Sequence, residues 1–310
     1  MITALALRGL PEVRPGDDLA ALIAGLDVPL RDGDVLAVAH KVVSKAEGRV
    51  VALSRVAPGD RALELAALHG KDPRHIQVVL DEAAEIVRSR PGVIICRTRH
   101  GFVCANAGVD ASNAGRPDAL VVLPRDPDHS ARGLRAALAE RAGARPAVII
   151  TDSFGRAWRR GQCEVAIGIA GLVSVDDWRG RTDAHGRELH ATAIAIADEA
   201  AAAADLTRAK DSREPVVVLR GLERHVTGDD GPGVAALLLT PPGAIAPAFG
   251  PGSRRRHETA AEAAGFEHAV VDVPALALDI DTPDDLATLR AEGRLGPRTA
   301  AALAAATAQS

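Results

Sequence analysis

The chain has no tyrosine, four phenylalanines and two tryptophans in 310 residues, while alanine supplies 62. Large aromatic side chains usually provide much of a core's buried area. Here Ala, Val, Leu and Ile must fill it, so helices can approach their neighbours closely. The same bias limits any binding site, because stacking on a base or planar ligand falls to Phe, Trp, His or Arg. The 37 basic residues divide into 33 Arg and 4 Lys, which a GC-rich genome explains simply.

At 47% hydrophobic and 25% charged, the composition is that of a globular chain and excludes disorder. A net charge of -4 leaves no basic excess for nonspecific nucleic-acid binding. Apolar runs such as residues 146–150 are too short to span a bilayer. The first residues, MITALALRGLPEV, have no charged n-region, so no signal peptide is expected. Cys96, Cys104 and Cys163 match no metal spacing, and a reducing cytoplasm is the simplest setting. Cys96 and Cys104 read as core fillers.

Strand and helix signals alternate along the chain. Strands are expected at 2–7, 35–43, 92–97, 146–151 and 215–219. Helices are expected at 19–24, 60–70, 75–89, 130–141 and 188–206. Residues 101–130 read as a long polar loop, a type that is commonly functional. Composition shifts near Gly221, and the Gly/Pro-rich stretch 225–256 suggests a boundary. A helix at 255–264, a strand at 269–273 and two further helices are expected after it.

Several motifs are missing. Gly70-Lys71 is followed by Asp72 rather than forming a P-loop, and there is no GxGxxG, HExxH or GxSxG. Two segments stand out instead: HGFVCANAGVDASN, residues 100–113, and VIITDSFGRAWRRGQ, residues 148–162. Each sets an aspartate, Asp110 or Asp152, just after an apolar stretch, where a strand-end side chain meets ligands. Paired carboxylates can hold Mg²⁺ or Mn²⁺. Arg156, Arg159 and Arg160 follow Asp152 by four to eight residues, and arginine forks match phosphate or carboxylate. Metal plus arginines is the apparatus of phosphoryl transfer. Either segment alone reads better as a turn aspartate, or a turn aspartate and an exposed arginine run; the two together, with Asn106 and Asn113, favour a site. A third segment, HKVVSKAEGR at 40–49, holds two of the four lysines. A compact ammonium there suits a nucleotide phosphate, or a surface salt bridge.

These segments, with Gly9-Leu10-Pro11, 32–36 and Asp183-Ala-His-Gly-Arg187, resemble the coenzyme F-420:L-glutamate ligase family over residues 1–222. The resemblance implies an α+β, two-domain fold and an intertwined homodimer. It implies GTP as energy source, two divalent cations per subunit (Mg²⁺ or Mn²⁺) with K⁺ as an additional ion, and the F-420 precursor and L-glutamate as the other substrates. Leu10, Pro11, Glu12 and Val13 match the family's first nucleotide-contacting turn. His40, Lys41 and Lys45 match its second GTP segment, and Asn113 a further GTP contact. Asp110 and Asp152 match metal-binding aspartates, with Arg156 beside them in the catalytic set. Ser153 stands where threonine is usual as ligand of the second metal. The later GTP and metal loop, usually Gly with an acid or amide, reads Arg208-Ala-Lys210 here, so Lys210 is carried over as a nucleotide contact. His185 replaces a usual tyrosine, and Glu164 departs from the pattern.

Residues 223–310 do not look like the ligase. The segments at 240–257 and 278–286 resemble the C-terminal third of the guanylyltransferase family that makes the precursor. Gly250 and Ser253 match its acceptor-phosphate loop; the half that would bind the triphosphate is missing. A small α/β, non-catalytic tail is expected, offering a contact for pathway enzymes. A metal-dependent phosphohydrolase and a non-catalytic nucleotide-binding subunit are the alternative readings of the whole chain. Neither nucleic acid nor membrane is an expected partner.

Overall fold

A computed structural model describes residues 1–227 and 259–265. The chain divides into two compact units, Met1–Gly228 and Asp229–Ser310. Of the second, only a helical stretch at 259–263 and the turn after it are described, with Ala261 buried. The loop at Gly250 and Ser253, and the expected strand and helices beyond it, lie outside the described residues.

The elements of the first unit run β1 (Thr3–Ala6), α1 (Leu19–Ala24), β2 (Val35–Ala39), α2 (His40–Ala46), β3 (Val50–Ala52), α3 (Asp60–His69), α4 (Pro73–Glu82), β4 (Ala83–Arg90), β5 (Val93–Thr98), β6 (Val103–Ala105), β7 (Ala119–Val121), α5 (Pro127–Ala142), β8 (Ala147–Gly155), β9 (Gln162–Ala170), β10 (Asp176–Asp177), β11 (Ala193–Ile194), α6 (Ile196–Asp205) and β12 (Val216–Arg220). This mixed architecture fits an α+β fold. Five strands form one sheet in the order β1-β12-β2-β8-β9, in which only β2 and β8 pair in parallel.

The three central strands are apolar without alternation because both of their faces are covered. Leu36, Val38, Val148, Ile150, Val216 and Val218 point into a cluster with Ile23, Leu134 and Leu138 from α1 and α5. Their neighbours Val35, Ala37, Ala147, Ile149, Val217 and Leu219 point the other way, onto Ala197, Ala200, Ala201 and Ala204 of α6. Those four alanines follow the i, i+3, i+4, i+7 spacing of one helical face. The alanine face of α6 lets that helix approach the aliphatic sheet closely.

Residues 50–122 build a separate cluster, in which Ala62, Leu65, Ile76 and Val79 of α3 and α4 meet Ile94 and Cys96 of β5. β4, β5 and β6 form a meander against it, and β3 pairs with β7. Arg49 links the end of α4 to the core beside the main sheet, donating to Glu82 at 2.7 Å and to the carbonyl of Leu123, a member of that core, at 3.0 Å.

Several expected elements change identity. The apolar run 35–43 is a strand only to Ala39. Pro215 has no N–H to extend the β12 ladder, and the last bond there is from Ala39 N to the Pro215 carbonyl, 2.8 Å. The chain then coils, and Val42 and Val43 bury as helix residues. The helix expected at 75–89 ends at Glu82; Ala83 turns extended and β4 pairs with β5, so ladder pairing overrides the helical period. The helix expected from 188 begins at Ile196, because residues 188–194 pair back on 176–182 behind a turn in which Asp183 accepts from the backbone N–H groups of His185 and Arg187. The expected loop 101–130 contains β6 and β7, three-residue strands too short to show a period. α5 starts at Pro127 behind the N-cap Asp126. β8 continues past Asp152 to Gly155, because β9 pairs along its full length.

Gly168 lets α5 lie against β9: a Cβ there would stand 2.3 Å from the Pro127 carbonyl oxygen. Backbone cannot yield as a side chain can. Gly168→Ala should therefore cost about 1–3 kcal/mol or more. At about 2–4 °C per kcal/mol for a unit of this size, a melting curve should show a clear fall in Tm, whereas an unchanged Tm would mean the helix sits further away.

Candidate functional site

The site is organised by the first two residues of α2. His40 is buried, and its Nε2 lies 3.4 Å from Asp152 Oδ1 on β8. That separation lacks hydrogen-bond geometry, so Nε2 is a buried nitrogen without a hydrogen-bond partner. Its Nδ1 is 3.3 Å from Ser44 Oγ, one turn along the helix. Lys41, the next residue, donates to Asp110 Oδ2 at 2.5 Å and to Ser112 Oγ at 2.6 Å. Two adjacent residues thus each meet an aspartate, and those aspartates are 42 positions apart in sequence.

Asp110 follows a 3-10 turn and exchanges backbone hydrogen bonds with Val121 at 3.0 and 2.8 Å. Its carboxylate also accepts from Ser112 N at 2.7 Å and Ser112 Oγ at 2.8 Å. Burial works to raise its pKa, but the bonds from Lys41 and Ser112 outweigh it, and the pKa lies below the usual aspartate value. Cys104, buried on β6, is pushed up to about 12, first by burial and then by the negative charge of Asp152.

The second half of β8 carries polar groups outward. A register shift between Ile150 and Thr151 re-aims the strand, and Ser153 then lies directly across from Glu164 of β9. Ser153 Oγ donates to Glu164 Oε1 at 2.5 Å and accepts from Lys210 Nζ at 2.6 Å. The other Glu164 oxygen accepts from Arg208 Nη2 at 2.9 Å, and the same nitrogen reaches Thr151 Oγ1 at 3.0 Å. The Glu164 and Arg208 side chains are only 5% and 8% exposed. Among the described residues, no group of three or more His, Cys, Asp or Glu is arranged to hold a metal ion.

Of the residues singled out from sequence, His40 lies near Asp152, Lys41 donates to Asp110, and Lys210 donates to Ser153. Lys45, buried on α2, donates to Glu12 Oε1 at 2.5 Å, which ties the helix to the 10–13 turn. In that turn Leu10 is half-buried, Pro11 exposed and Val13 buried. Gly115 also lies beside Glu12. Asn113 is exposed in the left-handed region, φ 55°. Arg156 is not gathered with the aspartates; it is exposed in the β8–β9 turn and donates to the carbonyl of Arg160. Sequence reasoning missed the roles of Glu164 and Arg208. The alternation of Val165, Ile167 and Ile169 could have revealed β9, and a charged residue at its inward start could have revealed Glu164.

Residues 9–221 match the protein family described as F420-0:Gamma-glutamyl ligase. The chain belongs to this family. It is 49% identical over 232 residues to the coenzyme F420:L-glutamate ligase of Methanopyrus kandleri, covering 74% of this chain and 91% of that protein. To the enzyme of the same name from Methanothermobacter thermautotrophicus it is 44% identical over 239 residues, covering 74% and 93%. With that of Methanocaldococcus jannaschii it shares 43% over 215 residues, covering 68% and 85%. The ligase relationship thus spans the first unit, where the two aspartates stand.

Glu164→Gln should destabilise the protein by about 3 kcal/mol, because it leaves the Arg208 guanidinium buried without its main counter-charge. Urea unfolding measures this; a shift under about 0.5 kcal/mol would place the pair in the exposed class.

Proposed function

We propose that the chain ligates L-glutamate to the F-420 precursor at the expense of GTP, as an acid–amino-acid ligase of coenzyme F420 biosynthesis. The observation that carries this is the identity of 43–49% to three such ligases, in a chain whose His40 lies 3.4 Å from Asp152 and whose Lys41 is ion-paired with Asp110.

A carboxylate is a poor electrophile, so its carbonyl must be activated before an amine can add. In this reading the precursor's carboxylate oxygen attacks the γ-phosphorus of GTP, the bond to the β-phosphate oxygen breaks, and GDP leaves. The acyl phosphate that results is attacked by the glutamate amine. Phosphate departs, the amine loses a proton, and an amide remains. The protein's tasks are to orient the three substrates, offset charge on the phosphate oxygens and keep water from the acyl phosphate.

Lys45 and the 10–13 turn lie together and suit the nucleotide, with the Lys45 ammonium exchanging Glu12 for a phosphate oxygen. Lys41 keeps Asp110 ionised and fixed in direction. Arg159 and Arg160, on the exposed β8–β9 turn, suit the anionic groups of the precursor. Asp110 and Asp152 are part-buried carboxylates, hard oxygen donors of the kind Mg²⁺ and Mn²⁺ take; Asp152 is the freer of the two, and Asp110 would exchange the Lys41 ammonium for the ion. When bound, such an ion offsets the charge of the transferring phosphate. Ser153 fits a second ion poorly, since its hydroxyl is already engaged by Lys210 and Glu164.

A homodimer in the cytoplasm completes the proposal. The β4-β5-β6 sheet leaves Val87, Val93 and Val103 about half exposed, an apolar face that a second copy could cover. Cys96 and Cys104 stand opposite one another on β5 and β6 and are free thiols, which suits a reducing setting. Among the described residues, no helix is long and apolar enough to cross a membrane.

Mass spectrometry of the precursor incubated with protein, GTP, Mn²⁺ and glutamate should show added glutamyl mass. GTP turnover should require glutamate and precursor together; turnover with neither would indicate a hydrolase. Asp152→Asn should abolish ligation with an unchanged circular dichroism spectrum, and near wild-type turnover by the folded variant at saturating Mn²⁺ would remove Asp152 from the site. Lys45→Ala should lower kcat/KM for GTP more than for glutamate. Losing a charged contact costs about 1.5–3 kcal/mol, or about ten- to a hundredfold; an unaltered GTP dependence would leave Lys45 as Glu12's structural partner only.

A further inference from the structure

Lys210 is one of four lysines in a chain with 33 arginines, and it stands on the loop after α6. Its ammonium is 2.6 Å from Ser153 Oγ and 3.8 Å from Glu164 Oε1. The Ser153 hydroxyl donates its proton to that same Glu164 oxygen, so the ammonium meets the hydroxyl's lone pair. Arg208 holds the other Glu164 oxygen, and Thr151 Oγ1 and the Pro215 carbonyl hold Arg208. The carboxylate is therefore fixed from behind and cannot swing away from Ser153.

A buried carboxylate and a hydroxyl next to Asp152 make a cradle of hard oxygen donors, and an ammonium fills it. A divalent ion using Ser153 Oγ would need an approach of about 2.0–2.1 Å to the very oxygen that already holds the ammonium. Arg208 adds a second fixed positive charge on the far side of Glu164. Arg208 is shared with Asp205, 3.5 Å from its Nε, so Lys210 is the cation that meets Ser153 and the near oxygen of Glu164.

We propose that Lys210 is the resident cation of this cradle, standing in place of a second divalent ion, so that each protomer takes up a single divalent ion with its nucleotide. This rests on the GTP-dependent ligase reading above. The Lys210 side chain is 75% exposed, and an ammonium has three donors. Ser153 and Glu164 use at most two of them, which leaves one for a phosphate oxygen of the nucleotide. Glu164 and Arg208 are positioning residues, acting on the nucleotide only through the ammonium they hold.

The test counts ions rather than turnover. Full-length protein is titrated with Mn²⁺ in the presence of a non-hydrolysable GTP analogue, and bound Mn²⁺ is followed by electron paramagnetic resonance. Wild type should bind one Mn²⁺ per protomer, with a spectrum free of Mn–Mn coupling. Lys210→Glu removes the ammonium and adds an oxygen donor. It should bind two, with the coupling expected of ions about 3.5–4 Å apart. Lys210→Gln provides the same readout should the Glu variant fail to fold. Two coupled ions in wild type, or one ion in both proteins, overturns the proposal. Calorimetry of analogue binding keeps the two claims apart. A wild type that binds no analogue overturns the ligase reading and this proposal together; one that binds it with two ions overturns the Lys210 assignment alone.

Discussion

The change from strand to helix between Ala39 and His40 is the constraint on which the site depends. β2 lies at the centre of the main sheet, between β12 and β8, and its residues 35–38 are buried. Pro215 ends the neighbouring ladder at that height, so the chain leaves the sheet there. Its first two helical residues face different partners: His40 toward Asp152 on the adjacent parallel strand, Lys41 toward Asp110 in the segment inserted between β6 and β7. Neither aspartate is near the other in sequence. That each meets one of two adjacent residues is a property of where β2 stops.

That geometry needs a sheet and helices that do not shift, and the chain achieves this without large aromatic side chains. Aliphatic strands bury on both faces, and alanine faces or glycine contacts bring the covering helices in. Besides Gly168 under α5, Gly171 sits where a Cβ would meet the Arg135 guanidinium at 2.3 Å. Arg135 is itself fully buried and donates to the carbonyls of Pro146 and Thr227 at 2.9 Å each. It therefore ties α5 to the start of β8 and to the end of the described part of the first unit. Dense aliphatic packing makes up in contact number what each small side chain lacks in area.

Much of this was legible in the sequence because burial and periodicity coincide. The central strands and α1 are apolar runs bounded by polar turns, and the helix at Leu19–Ala24 needed only its apolar period and the preceding aspartates. Asp110 and Asp152 were legible as acids following apolar stretches. What failed shares one cause: long-range pairing decided it. Val42 and Val43 look like strand residues, and only the end of the β12 ladder makes them helical. Ile86 continues the period of α4, yet β5 captures it as a strand. Glu164 and Arg208 lie 44 residues apart, and no local pattern joins them.

The buried Glu164–Arg208 pair is best understood through what it fixes. Desolvating two charges offsets most of their attraction, so an apolar pair of similar volume would hold the fold about as well. An apolar pair could not present an oxygen to Ser153. Arg208 takes one carboxylate oxygen through a rigid guanidinium, itself braced by Thr151 and Pro215, and the other oxygen is left with one direction in which to accept. The Ser153 hydroxyl must then point its proton at Glu164 and its lone pair at Lys210. Orientation passes from the buried pair to the hydroxyl and from the hydroxyl to the exposed ammonium, one residue along the strand from Asp152. The polar half of β8 thus keeps its charge geometry although it projects beyond the aliphatic core.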